Sequence, residues 1–321
     1  HENGQLSYVQ NYKDGKKDGL WEYFDENGQL QSRGNYKNGK PDGLWESFSE
    51  NGQLEWRGNY KDGNLTKTED YKDGVLLKSR GNHKDGKLEG LWEVYYEDGQ
   101  IWRRVNYKGG KPDGLWERFH KNGQLEYRQN YNKDMKDGLF ESFHKNGQQE
   151  SRGNYKDGKP HGHWERYYEN GQLDQRGNYK NGKRDGLWKG YYTNGQLEYK
   201  GNHKDGKNDG FWEFYHNNGQ LSSRENYKDG KKDGLFKWFH ENGQLSSREN
   251  YKNGELDGLS EEFHENGQLS WRGNFNNGKE HGPDETYYKD GQLLHRGNWK
   301  NGYSDGLSEK FHENGQLYFT E

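Results

Sequence analysis

The feature that most constrains the fold of this chain is a motif of 24 residues that recurs from one end to the other. Its clearest marker is the glycine of an Asn-Gly or Asp-Gly turn. Successive markers are 24 residues apart, except for one spacing of 22 and one of 25 on either side of Gly74. Such a period is typical of repeat architectures, in which each repeat buries its apolar surface against its neighbours. The markers are Gly4, Gly28, Gly52, Gly74, Gly99, Gly123, Gly147, Gly171, Gly195, Gly219, Gly243, Gly267, Gly291 and Gly315.

Each repeat carries two runs that are typical of β-strands, LWExF and QLxxRGNYK, joined by Asn-Gly or Asp-Gly. These dipeptides indicate a β-hairpin, because the turn needs positive φ angles that Gly and Asn adopt at little cost. A second glycine-rich segment, such as residues 37–43, is expected to link one hairpin to the next. The sequence therefore predicts an all-β fold. We expect an elongated, single-layer antiparallel sheet of about 13 tandem hairpins, extending on the order of 120 Å.

The register of each hairpin depends on its loop, and two registers are compatible with the sequence. A two-residue Asn27-Gly28 turn would pair Trp21 with Gly34. A three-residue loop ending at Gly28 would instead place Trp21 over Arg33, and would gather Leu20, Phe24, Leu30, Gly34 and Tyr36 on the opposite face. Because register follows the apolar pattern that can be buried, the second alternative is favoured. It leaves Glu22 on the apolar face without an explanation.

The repeat predicts one continuous array over residues 1–321. Residues 64–74 lack the DGLW segment and two residues, and one extra residue follows within 75–81, so we expect an irregular repeat at 64–81. The repeats from about residue 255 are degenerate. His1 falls within a repeat, which indicates a fragment or a processed chain.

Composition suggests that aromatic rings replace an ordinary aliphatic core. Hydrophobic residues are only 26% of the chain, yet it holds 12 Trp, 25 Tyr and 13 Phe, which is unlike a disordered protein. The rings recur in columns, and the simplest interpretation is that these columns are the core. The alternative is an aromatic binding face, for which the Trp column is the best candidate because it stops near the C-terminus, at Ser260, Asp284 and Ser308.

The motifs at 154–159 (NYKDGK), 185–188 (DGLW) and 194–197 (NGQL) support a family assignment. Their alternation resembles the MORN repeat (membrane occupation and recognition nexus), and it is closest to a second variant that is common in bacterial proteins and often labelled antitoxin-like. The resemblance covers essentially the whole chain. It implies hairpins laid side by side in an elongated, twisted sheet that serves protein interaction or scaffolding, with membrane contact as the historical suggestion. The family has no catalytic residues of its own to carry over.

Charge and residue usage argue against several functional classes. Lys and Arg number 49 against 53 Asp and Glu, so there is no cationic footprint for nucleic acid and no polybasic segment for a membrane. Seven histidines share one turn column, but equivalent positions in successive hairpins are about 10 Å apart, too far to share one metal ion. We therefore expect no enzyme activity, no metal and no cofactor. The histidines are His1, His120, His144, His216, His240, His264 and His312.

Repeated Glu and Arg residues form two further columns, exemplified by Glu22 and Arg33. Regular columns on neighbouring strands are best interpreted as cross-strand ion pairs. Lys189 and Lys237 interrupt the Glu column, which suits a tolerant surface better than catalytic pairs.

The leading hypothesis is a non-enzymatic repeat scaffold that binds a protein partner of unknown identity. We expect its contact surface to be the exposed part of the Trp column and the adjacent Arg column. Two alternatives remain: a structural component of a fibre or surface appendage that self-associates end to end, and a binder of lipid headgroups. A bacterial cell-surface or secreted location is favoured over a cytoplasmic one. The predicted contact residues are Trp92, Trp116, Trp164, Trp188, Trp212, Arg128, Arg152 and Arg176.

Overall fold

A computed structural model describes residues 1–74 and 76–321, and every regular element in these ranges is a β-strand. The described residues form two compact units, His1–Lys159 and Pro160–Glu321. The predicted extra residue at 75–81 involves Val75, which lies outside the described residues.

The first unit contains thirteen of the described strands. They are β1 (Tyr8–Lys13), β2 (Lys16–Phe24), β3 (Leu30–Lys37), β4 (Lys40–Phe48), β5 (Leu54–Lys61), β6 (Asn64–Lys72), β7 (Leu76–Lys84), β8 (Lys87–Tyr95), β9 (Ile101–Lys108), β10 (Lys111–Phe119), β11 (Leu125–Asn132), β12 (Met135–Phe143) and β13 (Gln149–Lys156).

The strands of the second unit follow the same pattern, although three of them are split by a short break. They are β14 (Lys159–Tyr167), β15 (Leu173–Lys180), β16 (Lys183–Tyr191), β17 (Leu197–Lys204), β18 (Lys207–Tyr215), β19 (Leu221–Lys228), β20 (Lys231–Lys232), β21 (Gly234–Phe239), β22 (Leu245–Lys252), β23 (Glu255–Phe263), β24 (Leu269–Asn276), β25 (Lys279–Glu280), β26 (Gly282–Tyr287), β27 (Leu293–Lys300), β28 (Tyr303–Ser304), β29 (Glu309–Phe311) and β30 (Leu317–Thr320).

Within each unit, strands that are neighbours in the chain are antiparallel neighbours in the sheet. Tight turns are sufficient for this topology, since antiparallel strands need no crossover connection. The predicted fold class, an all-β antiparallel sheet of tandem hairpins, is confirmed. That residues 1–321 form one continuous array stays a prediction.

Two kinds of turn alternate along the chain. The Lys-Asn/Asp-Gly-Lys turn between β3 and β4 has positive φ at Asn38 (51°) and Gly39 (83°), as a two-residue hairpin turn requires. The glycine-rich segment predicted to link hairpins is therefore itself a tight turn, and β4 already begins at Lys40. In the other turn, Asp25 N donates to Gln29 O at 2.8 Å and Gly28 has a φ of 79°, so the three-residue loop is confirmed.

The favoured register is wrong in the body of the hairpin. Phe24 pairs with Leu30, as the three-residue loop requires, but a β-bulge follows and Trp21 then pairs with Gly34. A bulge inserts one residue in one strand and so moves every later side chain relative to its partner. Tyr36 and Gly34 consequently share a face with Trp21, and Leu20 lies on the opposite face with Glu22.

The irregular repeat retains its place in the first unit's sheet. Strand β6 pairs with β5 and with β7, so that Glu69 lies between Arg57 and Arg80, while Thr68 occupies the position of the missing Trp, between Gly58 and Gly81. The loss of the DGLW segment therefore removes the Trp ring from this repeat but leaves its strand in place.

Candidate interaction surface

The sheet of each unit has two chemically different faces, because successive side chains of a strand point to opposite sides. We call one the tryptophan face: it carries the Trp and Tyr columns and the glycines that lie opposite most of the Trp residues. We call the other the leucine face: it carries the exposed Leu, Glu and Arg columns. In β2, Trp21 belongs to the first face and Leu20 and Glu22 to the second. The expectation that the Trp and Arg columns share a face is wrong, because a residue shift at the bulge separates them.

Rings on the tryptophan face contact one another from repeat to repeat. The ring centroids of Trp21 and Tyr36 are 4.7 Å apart, and those of Tyr36 and Trp45 are 5.2 Å apart. The second unit repeats this with 5.2 Å between Tyr179 and Trp188. Such pairs contribute about 0.5–1.5 kcal/mol each beyond the burial of their area. The ring columns therefore form the core, as the simpler interpretation expected.

Burial corrects the prediction that the Trp column is an exposed contact surface. Trp188 is only 2% exposed and Trp212 only 5% exposed, since neighbouring rings cover them. Trp92, Trp116 and Trp164 are half-buried. None of the five belongs to a freely exposed aromatic row; whether any of them contacts a partner stays a prediction.

A glycine makes room for most of the Trp rings of the following strands. A Cβ atom on Gly34 would lie 2.0 Å from the Trp45 ring, and one on Gly201 would lie 2.0 Å from the Trp212 ring. Where Gln129 and Glu225 replace this glycine, the partner ring is a phenylalanine. The smaller Val105 is still followed by Trp116. The size of this residue alone does not decide between Phe and Trp, since Trp21 lies opposite Gln10 of β1.

Other side chains replace the Trp where it is missing. Trp56, from the strand before, donates its Nε1 hydrogen to Thr68 Oγ1 at 2.6 Å and covers the space above Gly58. In the C-terminal part, Trp299 Nε1 donates to Asp284 Oδ1 at 2.9 Å. Ser260 and Asp284 are buried at the Trp position, so the degenerate repeats hold polar contacts there.

On the leucine face, glutamates and arginines alternate from strand to strand. In the first unit, Glu46 lies between Arg33 and Arg57, and the same register continues through Glu69, Arg80, Glu93 and Arg104. Arg33 donates to Glu46 Oε2 at 2.6 Å, and Arg57 donates to Glu46 Oε1 at 2.9 Å. This row accounts for Glu22 on that face, which the sequence pattern left unexplained.

The glutamates of this row are less exposed than the arginines that cover them, and Glu46 and Glu93 are buried. The Glu46 side chain is 4% exposed and that of Arg33 is 48% exposed. Burial alone would raise the pKa of Glu46, but the hydrogen bonds from Arg33 and Arg57 outweigh it and hold that pKa below its usual range. Glu93 follows the same rule: burial opposes ionisation, and Arg80 and Arg104 lower its pKa.

The aromatic residue at the end of the first strand of each hairpin lies along one edge of the row of glutamates and arginines. Tyr95 Oη donates to Glu93 Oε2 at 3.0 Å, and Tyr215 Oη donates to Glu213 Oε2 at 2.8 Å. Burial and then the hydrogen bond to Glu93 raise the pKa of Tyr95 to about 12. The arginine, the carboxylate and this ring contact one another and form one strip.

On the other side of the strip lies a row of exposed apolar side chains, which is interrupted at the half-buried Leu115 and at His163. Phe211 is the extreme case at 76% exposure. Between Leu187 and Phe211 is an open depression of about 470 Å³, bordered by Lys200, Glu213 and Arg224. A smaller one of about 190 Å³ recurs around Leu259 and Pro283. The exposed members of the row are Leu20, Leu44, Leu91, Leu139, Leu187, Phe211, Leu235, Leu259 and Leu307.

The three predicted arginines lie on the leucine face. Arg128 Nε donates to Glu141 Oε2 at 2.5 Å, Arg152 lies opposite Glu141, and the Arg176 guanidinium is 6.0 Å from the Tyr191 ring centroid. Sequence reasoning missed the exposed leucines, because it counted the Leu of DGLW among the buried apolar columns. The charged neighbour two residues later was the signal that this Leu faces a polar side.

The turn histidines tie successive loops together. His216 Nε2 lies 3.0 Å from Phe239 O, His240 Nε2 lies 3.0 Å from Phe263 O, and His264 Nε2 lies 3.1 Å from Tyr287 O. Where the column has tyrosine, its hydroxyl makes the equivalent bond; Tyr192 Oη donates to Tyr215 O at 2.7 Å. The column joins each loop to the end of a strand in the next repeat, which is a structural role.

The family of this chain is identified from the sequence of its repeats. The profile of the family described as MORN repeat variant matches twelve segments of the chain. The chain belongs to the MORN repeat variant family. No segment is matched between residues 62 and 88, where the irregular repeat lies. The matched segments are 17–38, 41–62, 88–108, 112–133, 136–157, 160–181, 184–205, 208–229, 232–253, 256–277, 280–301 and 304–321.

Further comparisons add little to the family assignment. No curated protein matches the chain. Two solved structures align with 98% of this MORN repeat chain: the crystal structure of TcdB2-TccC3-Cdc42, at 10% identity and a TM-score of 0.17, and the Photorhabdus luminescens Tc holotoxin pore, at 11% identity and a TM-score of 0.18. The chain spans 23% and 19% of those chains, and likeness at these TM-scores supports no conclusion. Among the described residues, no helix is long and apolar enough to cross a membrane.

Proposed function

We propose that this chain is a non-enzymatic scaffold that binds a protein partner along its leucine face. MORN repeats are in general associated with scaffolds for protein or membrane interaction. The observation that supports a protein partner most directly is the exposed apolar row beside half-exposed arginines. Apolar side chains next to arginine are typical of the central part of protein interfaces.

The tryptophan face is the weaker candidate for this role. Its largest rings already pack against one another, so a partner would gain little by covering Trp21, Trp188 or Trp212. On the leucine face, by contrast, most repeats leave part of an apolar side chain in water, and its removal from water stabilises a complex by roughly 25 cal/mol per Å² of apolar area. The ionisable columns support a non-enzymatic role, since the buried glutamates are held in ion pairs and the turn histidines in loop contacts.

Site-directed photo-cross-linking in the source cells tests the proposal. A photoreactive phenylalanine analogue would replace Leu91 or Leu235 on the leucine face. Matched controls would carry it at Ser32 or Ser247, which lie on the tryptophan face. We expect cross-links to one protein species from the leucine face only. Equal cross-linking from both faces would contradict the proposal, and so would cross-links to lipid.

The same experiment distinguishes binding of a different protein from self-association of this chain. Cross-links between two copies of this chain, with no other protein attached, would indicate a fibre or surface appendage. Concentration-dependent filaments in electron microscopy would support that outcome, and a monodisperse species would exclude it.

A further inference from the structure

The alternating charge row of the leucine face is broken at two places in the second unit. Lys189 occupies a Glu position and lies between Arg176 and Lys200. Lys237 occupies another and lies between Arg224 and Arg248. From β15 to β22 the row therefore carries six cations and one carboxylate, Glu213. In the first unit, the row from Arg33 to Glu141 alternates without a break.

The single carboxylate of this stretch cannot neutralise its neighbours. Glu213 already accepts from Lys200 at 2.6 Å and from Arg224 at 3.0 Å. Within the described residues, neither Lys189 nor Lys237 has a carboxylate within ion-pair distance. Like charges that face each other across neighbouring strands destabilise a sheet. These two lysines therefore carry an electrostatic cost that no ion pair offsets.

The same stretch holds three exposed apolar side chains of the leucine row, including the most exposed one, Phe211. Phe211 is 76% exposed, Leu187 is 48% exposed and Leu235 is 43% exposed. The depression of about 470 Å³ between Leu187 and Phe211 is bordered by Lys200 and Arg224. Surplus positive charge and accessible apolar surface therefore coincide in β15–β22, and this coincidence points to one kind of occupant.

We propose, on the basis of the proposed function, that β15–β22 bind an extended acidic segment of the partner protein. This segment has an apolar side chain at every third residue. Equivalent side chains in successive repeats are two strand spacings apart, about 10 Å. Three residues of an extended chain in the polyproline II conformation span about 9 Å and complete one turn, so every third side chain faces the same way. Apolar side chains of the segment then lie beside Leu187, Phe211 and Leu235, and its carboxylates face Lys189 and Lys237.

Fluorescence anisotropy with a labelled peptide of four Leu-Glu-Asp repeats tests this assignment on the full chain. We expect the peptide to bind about tenfold more tightly than its neutral Leu-Gln-Asn counterpart, and the difference to shrink as salt screens the charges. The double variant K189E/K237E restores the charge alternation. We expect it to lose acidic-peptide binding by about tenfold while its melting temperature rises, because like-charge neighbours are removed.

The matched control is K207E/K231E, which makes the same change of net charge at exposed turn positions outside the row. It should bind the peptide as the unaltered chain does, and F211A should weaken binding without abolishing the charge preference. Equal losses in K189E/K237E and K207E/K231E would overturn the inference, because the attraction would then be general. Binding of phosphatidylserine vesicles that is lost in K189E/K237E, with no peptide binding, would also overturn it. Failure of the peptide with intact leucine-face cross-links would refute this inference alone, whereas loss of the cross-links would refute the proposed function.

Discussion

Gly34 and Trp45 fit together across β3 and β4 so closely that a single added carbon has no space. A Cβ atom on Gly34 would lie 2.0 Å from Cδ2 of Trp45, and the two residues are direct cross-strand partners. Since the φ angle of Gly34 is not in the left-handed region, the requirement for glycine here is steric rather than conformational. The same relationship joins Gly177 to Trp188 and Gly201 to Trp212.

Gly34→Ala should therefore destabilise β3 and β4 by about 1–3 kcal/mol, the usual cost of overpacking a filled site. Native-state hydrogen exchange of these strands measures the effect locally, which suits a repeat protein that need not unfold in one step. Adding Trp45→Phe should recover part of the loss, because the phenylalanine ring is smaller and Gln129 already lies opposite Phe140. If the double variant is no more stable than Gly34→Ala alone, the steric explanation is wrong.

The buried glutamates predict a loss of stability in acid. The pKa values of Glu46 and Glu93 are lower in the folded chain than the ordinary value of 4.5, so the unfolded chain binds protons more readily. Their contribution is fully present above about pH 4.5 and is lost as pH falls through the lower folded values. Urea denaturation at a series of pH values should show this slope, and Glu46→Gln with Glu93→Gln should flatten it. At neutral pH each substitution should cost about 1 kcal/mol, because the arginines involved are half-exposed.

His203 predicts a second, milder pH effect. Its ring lies between Trp188 and Trp212, with centroids 6.1 Å and 5.0 Å away. Burial, and then the charge of Arg184, lower the pKa of His203 below its ordinary 6.5. Folding therefore disfavours the protonated ring, and stability present above pH 6.5 is lost as pH falls below it. His203→Tyr, which restores the usual residue of the column, should remove this dependence; hydrogen exchange of β17 at pH 7.5 and about pH 5.5 measures it.

The turn histidines should behave as hydrogen-bond donors and not as metal ligands. His240→Tyr should leave stability unchanged, since Tyr192 makes the equivalent bond to the next repeat. His240→Ala should cost about 1 kcal/mol, the typical net contribution of one hydrogen bond. Thermal unfolding with and without EDTA provides the control. A chelator effect that disappears in His240→Tyr would contradict the structural role.

Local sequence signals predicted the hairpins well because the turn chemistry is local. Asn-Gly and Asp-Gly specify positive φ within two residues, and both turn types appear where those pairs occur. The register could not be read in the same way. It depends on a bulge beside Phe24, whose effect is to place Trp21 above Gly34, and that fit involves a strand partner 13 residues away.

The candidate surface was predicted only in part for a related reason. The Arg column is accessible as expected, but the Trp column is largely covered, because each ring is buried by rings from the neighbouring repeats. Composition showed that rings must replace aliphatic residues, yet it could not show that Leu20 and its equivalents would be left facing solvent. Which face is covered is a property of the paired strands and not of one repeat.

The Glu or Lys that each repeat contributes to its charged strip has an evolutionary consequence. Codons for these two amino acids differ by a single base, and either side chain fits the same place between arginines, as Glu46 and Lys237 show. Single-base substitutions could thus change the charge pattern of the leucine face one repeat at a time. The Trp, Tyr and Gly residues of the tryptophan face would stay unchanged. The residues that select a partner and the residues that stabilise the fold would then lie on opposite faces of the same strands.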